Sequence, residues 1–142
     1  MILKHKLTIV FLMLFISIIH AQDITIKKGD VFIDKVKCLT IDGSPINFSY
    51  YNLEGEEIFI LKYIDDNKNG SYYCKVTFLN QKLSFTSKTY IFTKKDLIKK
   101  LLQSKVLVDC NLIEDKIENF VLKYDENIES DNINVNISID RN

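Results

Sequence analysis

Glu57–Phe78 reads EIFILKYIDDNKNGSYYCKVTF, two apolar-rich runs on either side of an Asn69-Gly70 step. An Asn-Gly step between such runs is a strong hairpin signal, because both residues tolerate the positive φ that a tight turn requires. In the second run Tyr72, Cys74, Val76 and Phe78 share one face, while Tyr73, Lys75, Thr77 and Leu79 take the other. That period of two predicts a half-buried strand rather than a helix. The first run, Glu57–Ile64, is more uniformly apolar and predicts a central strand.

The same loop carries a competing pattern. Asp65, Asn67, Asn69 and Gly70 match the first half of a calcium-binding loop, in which oxygen ligands alternate and a glycine makes the bend. Val76 stands at the twelfth place, where a bidentate glutamate belongs, and it cannot ligate. The hairpin is therefore the preferred reading. Calcium held by Asp65, Asn67 and Asn69 is the alternative, and it requires a carboxylate from elsewhere in the chain.

Strand-like sequence extends in both directions. Residues 31–42 read as one strand with a change of phase near Asp34–Val36, which suggests a bulge. A turn follows at Asp42-Gly43, then a strand over 45–51 and a turn around Gly55. After Phe78 a turn at Asn80-Gln81 leads into a strand over 82–92. There Leu83 and Phe85 alternate in one phase and Tyr90 and Phe92 in the other. Short connections between neighbouring strands favour an antiparallel meander.

The pattern then changes to helical spacing. Thr93 and Asp96 have the N-cap and N3 positions of a capping box, followed by the stripe Leu97, Ile98, Leu101 and Leu102. A second helix is expected from Cys110 to Tyr124, capped by Asp109 and carrying Ile113, Ile117, Phe120, Val121 and Tyr124 on one face. Residues 105–109 fit either a short strand or a linker. After a polar connector, Ile133, Val135, Ile137 and Ile139 predict a last strand. The expected fold is α+β: a single antiparallel meander, two helices packed on one face and a C-terminal strand.

The N-terminus reads as a leader. Lys4 and Lys6 precede an apolar run from Leu7 to Ile19 that is shorter than the roughly 20 residues a membrane span needs. Ser17 and Ala21 supply small residues on the cleavage side. The expectation is a signal peptide over 1–21, a single domain over 22–142, and a secreted or periplasmic product with no membrane span after cleavage. The chain's 19 basic and 19 acidic residues balance, so loss of Lys4 and Lys6 leaves a slight acidic excess. Such a balance gives no electrostatic case for nucleic acid.

His5 and His20 are the only two histidines, and both lie in the leader. A processed chain then lacks the side chain on which Ser-His-Asp and Cys-His catalysis depends. With four glycines and three widely spaced cysteines, the sequence implies no nucleotide loop, zinc centre or cofactor. An exported chain can form disulfides. Cys38 and Cys74, both in predicted strands, are the preferred pair, with Cys110 in a first helical turn; three unpaired buried thiols are the alternative.

Two segments, FSYYNLEGEE (48–57) and KYIDDNKNGSYY (62–73), together resemble the hairpin repeats of secreted bacterial MORN-type antitoxin-like proteins. The resemblance lies in an aromatic pair, a glycine turn and an Asn-Gly turn. It stops at Leu83, and no function is carried over from it.

The expected function is non-catalytic binding or inhibition of another secreted or envelope protein through a protein–protein surface. Tyr50, Tyr51, Tyr72 and Tyr73 are the candidate contact residues, since tyrosine offers rigid amphipathic area. Adjacent tyrosines on a strand face opposite ways, so one of each pair belongs inside. The alternatives are a histidine-free carboxylate enzyme, an envelope structural protein joined through a free cysteine, and a carrier of a small apolar ligand.

Overall fold

The structure is a computed structural model and describes residues 21–67 and 70–129. The expected last strand, 133–139, and the expected leader apart from Ala21 lie outside the described residues. The fold is α+β. Among the described residues seven strands form one antiparallel meander in sequence order: β1 (Ile24–Lys27), β2 (Asp30–Ile33), β3 (Val36–Ser44), β4 (Asn47–Tyr51), β5 (Glu57–Asp66), β6 (Ser71–Phe78) and β7 (Leu83–Ser87). Helix α1 (Lys94–Gln103) follows, then a small hairpin of β8 (Leu107–Val108) and β9 (Asn111–Leu112), then helix α2 (Glu114–Tyr124).

The β5–β6 hairpin is the longest pairing, running from Phe59 opposite Phe78 to Asp66 opposite Ser71. Its register puts Phe59, Leu61 and Tyr63 on the same face as Phe78, Val76 and Cys74. Neighbouring strands continue those rows: Tyr50 lies opposite Phe59, Phe48 opposite Leu61, and Phe85 opposite Val76. Aromatic rings then carry the core from sheet to helix. Tyr50 stacks on Phe59 at 4.3 Å, Phe59 meets Phe78 at 5.8 Å, and both Phe78 and Phe85 meet Phe120 of α2 edge-on. Leu97, Ile98 and Leu101 of α1 and Ile117, Phe120, Val121 and Tyr124 of α2 complete the same core.

The region read as one strand over 31–42 is two strands. Asp34 and Lys35 adopt positive φ of 49° and 67° and turn β2 back along β3. The phase change near these residues is thus a hairpin turn. A bulge does occur, just beyond that turn, where Cys38 is left unpaired between Leu39 opposite Val31 and Lys37 opposite Phe32. The preceding turn uses Lys28 and Gly29. Gly29 is required there, since its φ is 83° and an added Cβ would come within 2.6 Å of the Ile41 carbonyl oxygen.

The predicted strand 82–92 ends at Ser87. There the hydroxyl accepts from the Tyr90 amide at 2.8 Å and donates to the Glu126 carboxylate. The chain leaves the ladder, and the bend reconciles Phe85 and Phe92, which are both buried although their strand phases conflict. The helix expected from Cys110 begins instead at Glu114, with Ile113 as N-cap. Asp109 and Cys110 have φ of 48° and 65° and form the turn of the β8–β9 hairpin. Asp109 is a turn residue here, not a cap.

The disulfide joins Cys38 to Cys110, not to Cys74. Strands β4 and β5 stand between β3 and β6, so Cys38 and Cys74 are three strand spacings, about 14 Å, apart. A disulfide needs a Cα separation of about 4.4–6.8 Å. The Cys38 and Cys110 Cα atoms are 5.0 Å apart. No helix of the described residues is long and apolar enough to cross a membrane.

Candidate binding surface

The four tyrosines chosen from sequence separate into distinct roles. Tyr50 is fully buried, and its hydroxyl donates to the Lys94 carbonyl at 3.2 Å. Burial, reinforced by nearby Tyr63, pushes its phenol well above the ordinary value. Tyr63, which sequence reasoning did not single out, makes the matching bond to the Phe92 carbonyl at 2.6 Å. Together they pin the N-terminal end of α1 to the sheet, and neither is a surface contact. The periodicity of two puts both on the inward face, so the signal was present for Tyr63 as much as for Tyr50.

Tyr72 projects on the helix-side face but stands 58% exposed near the end of β6. Tyr51 and Tyr73 belong to the opposite face. Tyr73 is buried there and its hydroxyl donates to Glu129 at 3.4 Å. Burial raises its phenol pKa, and the Glu129 carboxylate beside it adds to the effect. The structure therefore brings Tyr51 and Tyr73 to one face and places Tyr50 and Tyr72 on the other.

That second face is the one turned away from both helices. Ile60 lies between Ser49 and Thr77, and Ile64 lies opposite Tyr73. Phe32, Tyr51, Ile60 and Ile64 are half-buried. Lys62 and Lys75 face each other between the two isoleucines. At the β7 end the chain leaving α2 wraps over the sheet edge. The Glu126 amide donates to the Thr86 carbonyl at 2.8 Å, and the Ile128 amide donates to the Thr86 hydroxyl at 3.0 Å. Glu129 then pairs with Lys75 at 2.7 Å. The resulting surface intersperses apolar side chains from β2 to β6 with Lys37, Thr40, Ser49, Lys62, Lys75 and Thr77, and carries a polar clasp at one side.

The loop residues fall as the hairpin requires. Asp65 and Asp66 sit in the β5 ladder opposite Tyr72 and Ser71, on alternate faces. Asp65 is exposed, whereas Asp66 is buried and meets Lys88 at 2.5 Å. Asn67 is exposed and Asn69 lies outside the described residues. Gly70 has φ of 64°. Among the described residues, no group of three or more His, Cys, Asp or Glu is placed to hold a metal ion.

Cys74 is fully buried, and its thiol donates to the Tyr90 carbonyl at 2.9 Å. Burial pushes its pKa up against the opposing pull of backbone hydrogen bonds, which disfavours the reactive thiolate. A bridge from this thiol to another chain would require the core to open. No family model matches the chain, and neither the curated proteins nor the solved structures yield a match.

Proposed function

We propose that this chain is an exported, non-catalytic binding protein that recognises another secreted or envelope protein through the sheet face turned away from its helices. The observation that carries the reading is that Phe32, Tyr51, Ile60 and Ile64 stand half-buried on that face, each set among polar neighbours or beside Tyr73. A solvated sheet face ordinarily reads as polar at alternate positions, and apolar residues there with polar neighbours are the makings of an interface core and rim. The leader read from Met1 to Ala21 and the Cys38–Cys110 disulfide both support export.

The test is affinity capture from the extracellular or periplasmic fraction with the wild-type protein and with Ile60→Lys. Ile60 is half-exposed and flanked by Ser49 and Thr77, so lysine there reaches solvent without entering the helix-side core. A partner held by the wild type and released by Ile60→Lys is the expected result. Recovery of the monomer alone, or a partner equally retained by the variant, refutes the reading. Mass spectrometry of the captured protein should also show an N-terminus at Gln22.

A further inference from the structure

Helix α2 separates its charges. At about 100° per residue, Glu114 and Glu118 fall on one flank of its buried stripe, Lys116 and Lys123 fall on the other, and Asp115 faces away from the stripe. On the lysine flank the two helices enclose an open groove of about 380 Å³. Lys100, Gln103 and Ser104 line it from the α1 side, and Lys116, Asn119 and Lys123 from α2. Phe120 and Tyr124 form the floor, and the Lys123 ammonium lies 5.4 Å from the Tyr124 ring centre.

Among the described residues Lys37 pairs with Asp30, Lys75 with Glu129 and Lys88 with Asp66, while no acidic side chain lines this groove. Lys100, Lys116 and Lys123 form no ion pair with any described residue. Three like charges therefore line one groove in a chain that carries no net positive charge. Ammonium groups along one groove repel one another, and an anionic occupant relieves that repulsion.

We propose that this groove docks an acidic peptide segment of a partner protein. The three ammonium groups match side-chain carboxylates. Gln103 and Asn119 each offer both a donor and an acceptor, which suits the alternating N–H and C=O of a peptide backbone. Nucleobases and sugars are held largely by stacking on open aromatic faces. Phe120 and Tyr124 are only 3% and 5% exposed, so the floor leaves little open ring surface for stacking. The groove lies on the helix side, opposite the sheet face discussed above, and the proposal stands independently of it.

Calorimetric titration of the full protein with a synthetic peptide of alternating glutamate and serine tests the proposal, with the glutamine–serine peptide as comparison. Binding of the acidic peptide alone, weakened by added salt, is expected. In the combined variant Lys100→Gln, Lys116→Gln, Lys123→Gln, affinity should fall about tenfold or more, the sum expected of three exposed charge pairs. Lys27→Gln, on β1, should bind as the wild type does. Amide shift mapping on the wild-type protein provides a readout that does not depend on the variant folding: shifts should centre on residues 100–104 and 116–124. Equal binding of the glutamine peptide, unchanged affinity in the combined variant, or shifts centred elsewhere would overturn the assignment. Binding of a sulfated polysaccharide but not of the peptide would reassign the groove to an acidic glycan.

Discussion

Glu126 follows α2 and closes the β7 end of the sheet with its carboxylate. It accepts from the Ser87 hydroxyl, from the Thr89 hydroxyl at 2.9 Å and from the Thr89 amide at 3.2 Å. Burial alone would raise its pKa, but the bonds from Ser87 and Thr89 outweigh it and hold the carboxyl below its ordinary 4.5. A carboxyl depressed in the folded state contributes stability that is present above its unfolded pKa. That contribution fades as pH falls from about 4.5 through the lower folded value. Urea unfolding of the wild type and Glu126→Gln across this window should therefore show the wild type's advantage shrinking on acidification. An advantage that stays constant with pH would mean the ionised carboxylate is not what Ser87 and Thr89 recognise. None of this was legible in the sequence, where Glu126 sits in a polar connector. Its partners are 37 and 39 residues away, and only the wrap of the chain around β7 brings them together. Tyr50 failed as a contact residue for a related reason. Alternation says which side of a strand a tyrosine takes, but not which side the helices will cover.

At the scale of elements, the legible parts were those whose signal is local. The β5–β6 hairpin follows from alternation and one Asn-Gly step, and α1 follows from its capping box. Thr93 accepts from the Asp96 amide at 3.1 Å, and Asp96 accepts in return from the Thr93 amide at 3.4 Å. Thr93→Ala should destabilise the protein by about 1 kcal/mol in equilibrium unfolding, while Thr93→Ser should cost far less. Equal losses from the two would point to packing, not capping, as the role of Thr93. Elements were misread where turns lacked their usual residues. Asp34-Lys35 and Asp109-Cys110 both place a non-glycine pair in the left-handed region, and lysine and cysteine carry no turn signal. The chain reverses there because register on either side is enforced by burial: Val31, Ile33, Cys38 and Leu39 around the first, Val106 and Leu107 before the second. The β8–β9 hairpin displaced the expected helix start for the same reason.

Across the whole molecule, the disulfide is the one covalent tie between the two halves of the chain. It links the bulge of β3 to the hairpin between the helices, closing a loop across 72 residues of sequence. The cysteine spacing alone could not select this pair, because strand order decides which cysteines can meet, and the meander keeps Cys38 and Cys74 on strands that are not neighbours. Cys38 is available to Cys110 because the bulge leaves it unpaired in the ladder, and Cys110 is the second residue of a tight turn. A cross-link over a loop of this length should stabilise the fold by about 4 kcal/mol through the entropy of the unfolded chain. That is a large share of the roughly 5–15 kcal/mol typical of a small domain. Cys38→Ser with Cys110→Ser should therefore lower the urea midpoint substantially, and a reducing buffer should do the same to the wild type but add nothing to the double variant. Cys74→Ala tests the other half of the assignment. Its thiol has no part in the bridge, so that variant should keep the wild type's sensitivity to reductant. If Cys74→Ala alone abolished that sensitivity, the cross-link in solution would involve Cys74, and the placement of α2 against the sheet would have to be redrawn.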